Sequence, residues 1–125
     1  MQWKRQQRLD PAEDVVVTKA VQRASGALGL TQRELGQVLG ISEAKVSRLG
    51  RETLLDEQKK EFELAVLLLR LYRSLDALVG GSEEKTRDWL HAHNHYFNDK
   101  PVNLIKKIEG LNHVVHYLDA MRGPL

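Results

Sequence analysis

The chain has 125 residues, a formal net charge of +2, 42% hydrophobic and 29% charged residues, and no cysteine. That length holds one moderate core or two small helical units sharing one, and the apolar content excludes wholesale disorder. The missing cysteine excludes a disulfide framework, a thiol nucleophile and a thiolate metal site, and suits a reducing cytoplasm, the expected location.

In chain order, residues 1–9 read as a basic arm, with Lys4, Arg5 and Arg8 around Trp3 and no apolar segment of the kind a secretory signal needs. Asp10-Pro11-Ala12-Glu13 predicts a helix start, with Asp10 as N-cap, Pro11 at the first helical position and Glu13 completing a capping box. The helix is expected to run to Leu28 and stop at Gly29. Its apolar stripe is Val16, Ala20, Ala24 and Ala27, with Val17, Val21 and Leu28 beside it.

Thr31–Leu49, TQRELGQVLGISEAKVSRL, follows. Thr31 with Glu34 forms a second capping box, Gly40 marks a tight turn, and Ser42 is a further N-cap residue. Leu35, Val38, Leu39, Ile41, Val46 and Leu49 take the internal positions, and Gly36 is the small residue needed where two helices approach. The pattern is similar to a helix-turn-helix, whose second helix lies in the DNA major groove. Charge distribution agrees: residues 1–55 hold nine Lys or Arg against six Asp or Glu, whereas residues 56–125 hold ten against eleven.

Position in the motif assigns DNA roles. Gln32, at the start of the first motif helix, is expected on a phosphate. Ser42, Glu43, Ala44, Ser47 and Arg48 face the groove floor. Arg48 suits a guanine and Glu43 a cytosine amine. Arg33, Lys45 and Arg51 are better placed for phosphates.

Residues 51–58 read as a connector. From about Asp56 a helical pattern runs to Val79 and stops at Gly80-Gly81. Phe62, Ala65, Val66, Leu69 and Tyr72 form one apolar face, and Leu64, Leu67, Leu68, Leu71, Leu75 and Leu78 another. Such a helix must be covered on two sides, so it is expected to pair with a second copy of the chain. Its longest apolar run, Leu64–Leu69, is far short of the roughly 20 residues that cross a bilayer. Ser82 caps a helix expected from Glu83 to about His95, Pro101 starts a short one through Leu104 and Ile105, and Glu109-Gly110 reads as a turn. A last helix is expected from about Leu111 to Met121. The fold class is therefore all-α.

Between Arg87 and Gly123 the chain reads RDWLHAHNHYFNDKPVNLIKKIEGLNHVVHYLDAMRG. Trp89-Leu90, Asn94, Phe97, Pro101, Leu104-Ile105, Glu109-Gly110, Val114, Leu118 and Gly123 carry a resemblance to the toxin-binding domain of Xre/ParS-type antitoxins. Residues 61–81 resemble the connecting helix of the same proteins. Two loops depart from the family pattern: His93 precedes Asn94 where Pro is frequent, and Asn98-Asp99-Lys100 replaces a Gly-rich stretch.

Residue pattern and resemblance together give a basic arm (1–9), a helix-turn-helix domain (10–55), a connecting and dimerising helix (56–81) and a toxin-binding domain (82–125). The resemblance further implies an antitoxin paired with a RES-domain toxin, an enzyme class that depletes NAD⁺. By this analogy the toxin contacts are Asn94, Tyr96, Arg122, Gly123, Pro124 and Leu125, with the last four plugging the toxin pocket. A homodimer would bind palindromic operator DNA and form a larger hetero-oligomer with toxin. No cofactor is expected.

Other readings compete. His91 and His95, four apart, invite a metal site completed by His113 and His116, but no carboxylate lies between the first two and no metal is assigned. No nucleophile elbow, Gly-rich phosphate loop or paired-carboxylate signature points to an enzyme. The chief alternative is a dimeric helix-turn-helix repressor whose C-terminal half senses a ligand or only dimerises.

Overall fold

A computed structural model describes residues 12–123. The basic arm, Asp10, Pro11, Pro124 and Leu125 lie outside the described residues. Seven α-helices make up the described chain: α1 (Glu13–Leu28), α2 (Gln32–Leu39), α3 (Glu43–Arg48), α4 (Lys60–Leu78), α5 (Glu83–His91), α6 (Pro101–Leu104) and α7 (Ile108–Arg122). Among the described residues there are no strands, only isolated bridges between Leu49 and Thr53 and between Asn94 and Asp99.

The caps follow local chemistry. Thr31 and Glu34 form the reciprocal capping box at 3.0 Å each way, and Ser42 and Ser82 accept from the backbone N–H of Lys45 and Lys85. Gly40 ends α2 in the left-handed conformation, φ 71°, that a side chain resists. Pro101 opens α6.

Helix α4 is the spine. Ala65, Leu68, Leu71 and Leu75 are fully buried along it. Helices α7, α1, α2 and α5 all pack against it, and α5 also packs on α1. One continuous core runs from Val21 and Leu28 through Leu35, Leu68 and Leu75 to Leu111 and Leu118. The two apolar faces of α4 are thus covered largely within one chain, and its exposed large apolar residues reduce to Val66 and Leu78. A second copy is not required to bury Ala65, Leu68, Leu71 and Leu75, while Phe62, Leu64, Leu67, Leu69 and Tyr72 stay half-buried.

Several expectations shift. Helix α1 begins with Ala12 in the N-cap position, and its Asp14 N–H is accepted by Glu57 Oε1 at 3.2 Å. Its buried stripe is Thr18, Val21, Ala24, Ser25 and Leu28, whereas Val16 is exposed. The helix is rotated so that Thr18 Oγ1 can accept the buried Leu55 N–H at 3.0 Å, a donor that would otherwise be stranded. Residues 56–59 form a turn, held by Lys59 N–H on the Asp56 carbonyl, so α4 starts later than its apolar pattern suggests. Helix α5 ends at His91, short of His95, because Asn94 starts a new turn.

Glu109-Gly110 is not a turn but the first turn of α7. A Cβ on Gly110 would lie 2.0 Å from the Leu104 carbonyl oxygen, so glycine is needed for α7 to press on the end of α6. Alanine normally gains about 0.5–1 kcal/mol over glycine inside a helix. Here a rigid backbone oxygen occupies the space, and overpacking costs about 1–3 kcal/mol. Gly110→Ala is therefore expected to lower the urea unfolding midpoint; a raised midpoint would contradict this packing.

Candidate DNA-binding and toxin-binding surfaces

Helices α2 and α3 form a tight pair. A Cβ on Gly36 would sit 2.7 Å from the Ile41 carbonyl oxygen, which fixes how closely they approach. Val46 is buried beneath the pair. The opposite faces are open: Gln32, Arg33, Ser42, Glu43, Ala44, Arg48 and Arg51 are exposed, and Ser47 is half-buried. The Ser47 hydroxyl donates to the Ala44 carbonyl at 2.8 Å. Arg48 lies 3.9 Å from Glu52, a long contact between two exposed groups that a ligand replaces at little cost. Arg51 donates to the Ser47 carbonyl at 2.8 Å, at the C-terminal end of α3.

Lys45 is different from the phosphate contact expected of it. Its ammonium lies 2.8 and 2.9 Å from the two carboxylate oxygens of Glu61 on α4. Glu61 is buried, and the same carboxylate accepts the Asp56 N–H at 2.9 Å. Lys45 is therefore turned towards the protein. Sequence reasoning missed Glu61, although a carboxylate on the inward side of an apolar helix is the signal that marks such a partner. It also missed Gln22, which donates to the Leu49 carbonyl at 2.7 Å and satisfies the end of the α3 segment from α1.

The carboxy-terminal half is joined to this unit by polar bonds as well as by the core. Arg87 on α5 donates to the Gly26 carbonyl at 2.8 Å, and His91 Nε2 lies 3.0 Å from the Leu28 carbonyl. A carbonyl only accepts, so that ring nitrogen carries its proton. These two side chains serve the carbonyl end of α1, whose last turn has no basic residue.

Beyond α5, residues 92–100 form a compact loop. Asn94 Oδ1 accepts the Tyr96 N–H at 2.8 Å, and the Asn94 N–H donates to the Asp99 carbonyl at 2.9 Å. Asn94 thus shapes the loop rather than standing free on the surface. Hydrogen bonds from the Asn103 amide and the Lys100 N–H hold the Asp99 carboxyl below the usual carboxylate range. The loop stacks aromatic rings on α7. Tyr96 lies 4.5 Å from Tyr117 and 5.8 Å from His113 between ring centroids, and Phe97 lies 5.0 Å from both. Trp89 is half-buried against Phe97 and Tyr117. Tyr96 itself is 63% exposed, so this cluster presents an aromatic surface to solvent.

The histidines do not assemble as the metal reading requires. His91 is engaged with Leu28, His95 lies beyond the helix beside His93, and His113 packs on the aromatic loop. Among the described residues no group of three or more histidines and carboxylates is placed to hold a metal ion. No described helix is long and apolar enough to cross a membrane.

At the end of α7, Asp119 is the centre of a polar cluster. Ser74 Oγ donates to Asp119 Oδ1 at 2.7 Å, Arg70 reaches Oδ2 at 2.5 Å, and Arg122 donates to Ser74 Oγ at 3.2 Å. Arg122 thus folds back on α4, with Gly123 next to it.

The class these features define is a helical protein with a helix-turn-helix for DNA and a second helical unit built onto the same core. The chain belongs to the Xre-type antitoxins: residues 7–70 match the antitoxin Xre-like helix-turn-helix domain, just over half of the chain. Residues 74–124 match the antitoxin Xre/MbcA/ParS C-terminal toxin-binding domain. No curated protein matches the chain. It is thus an antitoxin of a toxin–antitoxin pair, with a DNA-binding and a toxin-binding part.

The polar cluster makes a pH prediction. Burial works to raise the Asp119 pKa. The Ser74 and Arg70 hydrogen bonds and the Arg70 and Arg122 charges outweigh it, so the carboxyl is held below its ordinary value of 3.8. A depressed carboxyl contributes stability above its unfolded pKa and loses it as pH falls through the folded one. As pH drops below about 4, the natural chain is expected to lose more stability than Asp119→Asn. Urea unfolding at stepped pH measures this; parallel curves would count against it.

Proposed function

We propose that this antitoxin neutralises a RES-domain, NAD⁺-depleting toxin and represses its own operon as a homodimer on palindromic operator DNA. The observation that carries the reading is the pairing of the two matched regions on one chain, 7–70 for DNA and 74–124 for toxin. That pairing favours an antitoxin over a repressor with a ligand-sensing half. The RES partner rests on the resemblance of residues 87–123 to antitoxins of that system.

The exposed faces of α2 and α3 support a division of labour. Arg48 reads a guanine, Glu43 a cytosine amine, Ser42, Ala44 and Ser47 line the contact, and Gln32, Arg33 and Arg51 take phosphates. A single such unit buries only roughly 600–1,000 Å² on DNA. A dimer offers two recognition helices roughly 34 Å apart to two half-sites. Since α4 is largely covered within the chain, this DNA geometry is what supports dimerisation.

On the toxin side, the aromatic surface of Tyr96 is a natural contact, with Asn94 shaping the loop that presents it. The segment Arg122-Gly123-Pro124-Leu125 enters the toxin pocket. The 3.2 Å bond of Arg122 to Ser74 gives way to a phosphate-binding position in the toxin. With toxin bound, the assembly is a larger hetero-oligomer.

Co-expression with a RES-domain toxin, followed by affinity capture and cellular NAD⁺ measurement, tests the pairing. The full chain is expected to co-purify and preserve NAD⁺, and a chain lacking residues 122–125 to lose that protection. Full protection by the truncated chain would rule out the plug. On DNA, Arg48→Ala is expected to cost about 1–3 kcal/mol on a selected sequence and much less on random duplex. Equal losses on both would remove Arg48 as a base reader.

A further inference from the structure

The Lys45–Glu61 pair joins the recognition helix to the spine. We propose that Glu61 is a specificity-determining residue of the DNA-binding surface, acting by withholding the Lys45 ammonium from the DNA backbone. The proposal rests on α2 and α3 being the DNA-facing pair.

Lys45 follows the exposed Ser42, Glu43 and Ala44 and precedes the buried Val46, at the edge of the outward face of α3. A free ammonium at such a place meets a phosphate whatever the base sequence, adding affinity without information. Here the ammonium is bound by both oxygens of one carboxylate, with side-chain exposures of 23% for Lys45 and 7% for Glu61. The carboxylate is not held by the lysine alone. It also accepts the Asp56 N–H, and it sits in the first turn of α4, where the helix dipole favours negative charge. Glu61 is therefore the fixed partner and Lys45 the movable one. Parting them would leave a buried carboxylate short of a cation, which is strongly unfavourable. The pair consequently persists when α3 meets DNA. Sequence-independent contact is left to Arg33, Arg51 and the helix N-termini, and the ratio of specific to random binding rises accordingly.

Counterion release reads this out, because the slope of log affinity against log salt changes by about 0.9 for each phosphate neutralised on B-DNA. The full chain is titrated onto a random-sequence duplex and onto a duplex enriched from a random pool by the natural chain. Glu61→Gln is expected to steepen the slope by about 0.9 per bound chain, raise random-duplex affinity several-fold and narrow the selected-to-random ratio. Lys45→Gln should keep the slope of the natural chain, and the double variant should return to it. A pair with only a structural role would lower the unfolding midpoint and leave every slope alone. The proposal is overturned if Lys45→Gln makes the slope shallower by about 0.9, since the lysine then reaches a phosphate. It is equally overturned if Glu61→Gln, folded by circular dichroism, keeps the original slope. Should Glu61→Gln not fold, Glu61→Asp, whose shorter side chain holds the ammonium less closely, is titrated in its place; a steeper slope supports the proposal and an unchanged one overturns it. A natural chain that binds neither duplex defeats the DNA-facing reading itself, whereas binding with unchanged slopes defeats only the role of Glu61.

Discussion

A helix apolar around most of its circumference cannot stand in water, and the rest of this chain is arranged to answer that constraint on α4. Leu68, Leu71 and Leu75 are fully buried along it, and each is worth roughly 1.5–3 kcal/mol relative to exposure. Helices α1, α2, α5 and α7 cover it. The DNA-binding part and the toxin-binding part are therefore not beads on a linker. They are two coverings of one spine, and neither has a complete core without it.

Polar bonds then fix orientation where apolar packing alone would let helices slide. Thr18 serves the Leu55 N–H, Gln22 the Leu49 carbonyl, Glu61 the Asp56 N–H, and Arg87 and His91 the end of α1. Each pairs a backbone group at a helix end or connector with a side chain from another helix, and leaving such groups unpaired when buried costs about 1–3 kcal/mol each. The recognition helix α3, only six residues long, takes its position from these neighbours. A toxin that contacts α5 or α7 touches helices that pack directly on α1 and α4.

Among the described residues, two open surfaces differ in chemical kind. On α2 and α3 they are polar and partly basic, with Arg33, Arg48 and Arg51 exposed. At the 92–100 loop they are aromatic, with Tyr96 outermost over Phe97, Tyr117 and His113. The first suits a polyanion read through its grooves. The second suits a protein surface, where aromatic rings supply large contact area at low entropic cost. That separation matches an antitoxin that engages DNA and toxin through different faces.

The sequence by itself determined what depends on near neighbours. The Thr31–Glu34 box, the Ser42 and Ser82 caps, the Gly40 turn and the Pro101 start each involve groups within four residues, and the two family resemblances follow the same local patterns. Only the tertiary structure decided what depends on distant partners. Lys45 meets Glu61 sixteen positions on, and His91 meets Leu28 across sixty-three. The inward face of α1 is chosen by the Leu55 N–H, α4 is largely covered by its own chain, and Gly110 is required by a carbonyl on another helix. Apolar periodicity states that a face must be covered but not by what, and a charge in a sequence carries no record of which way its side chain turns.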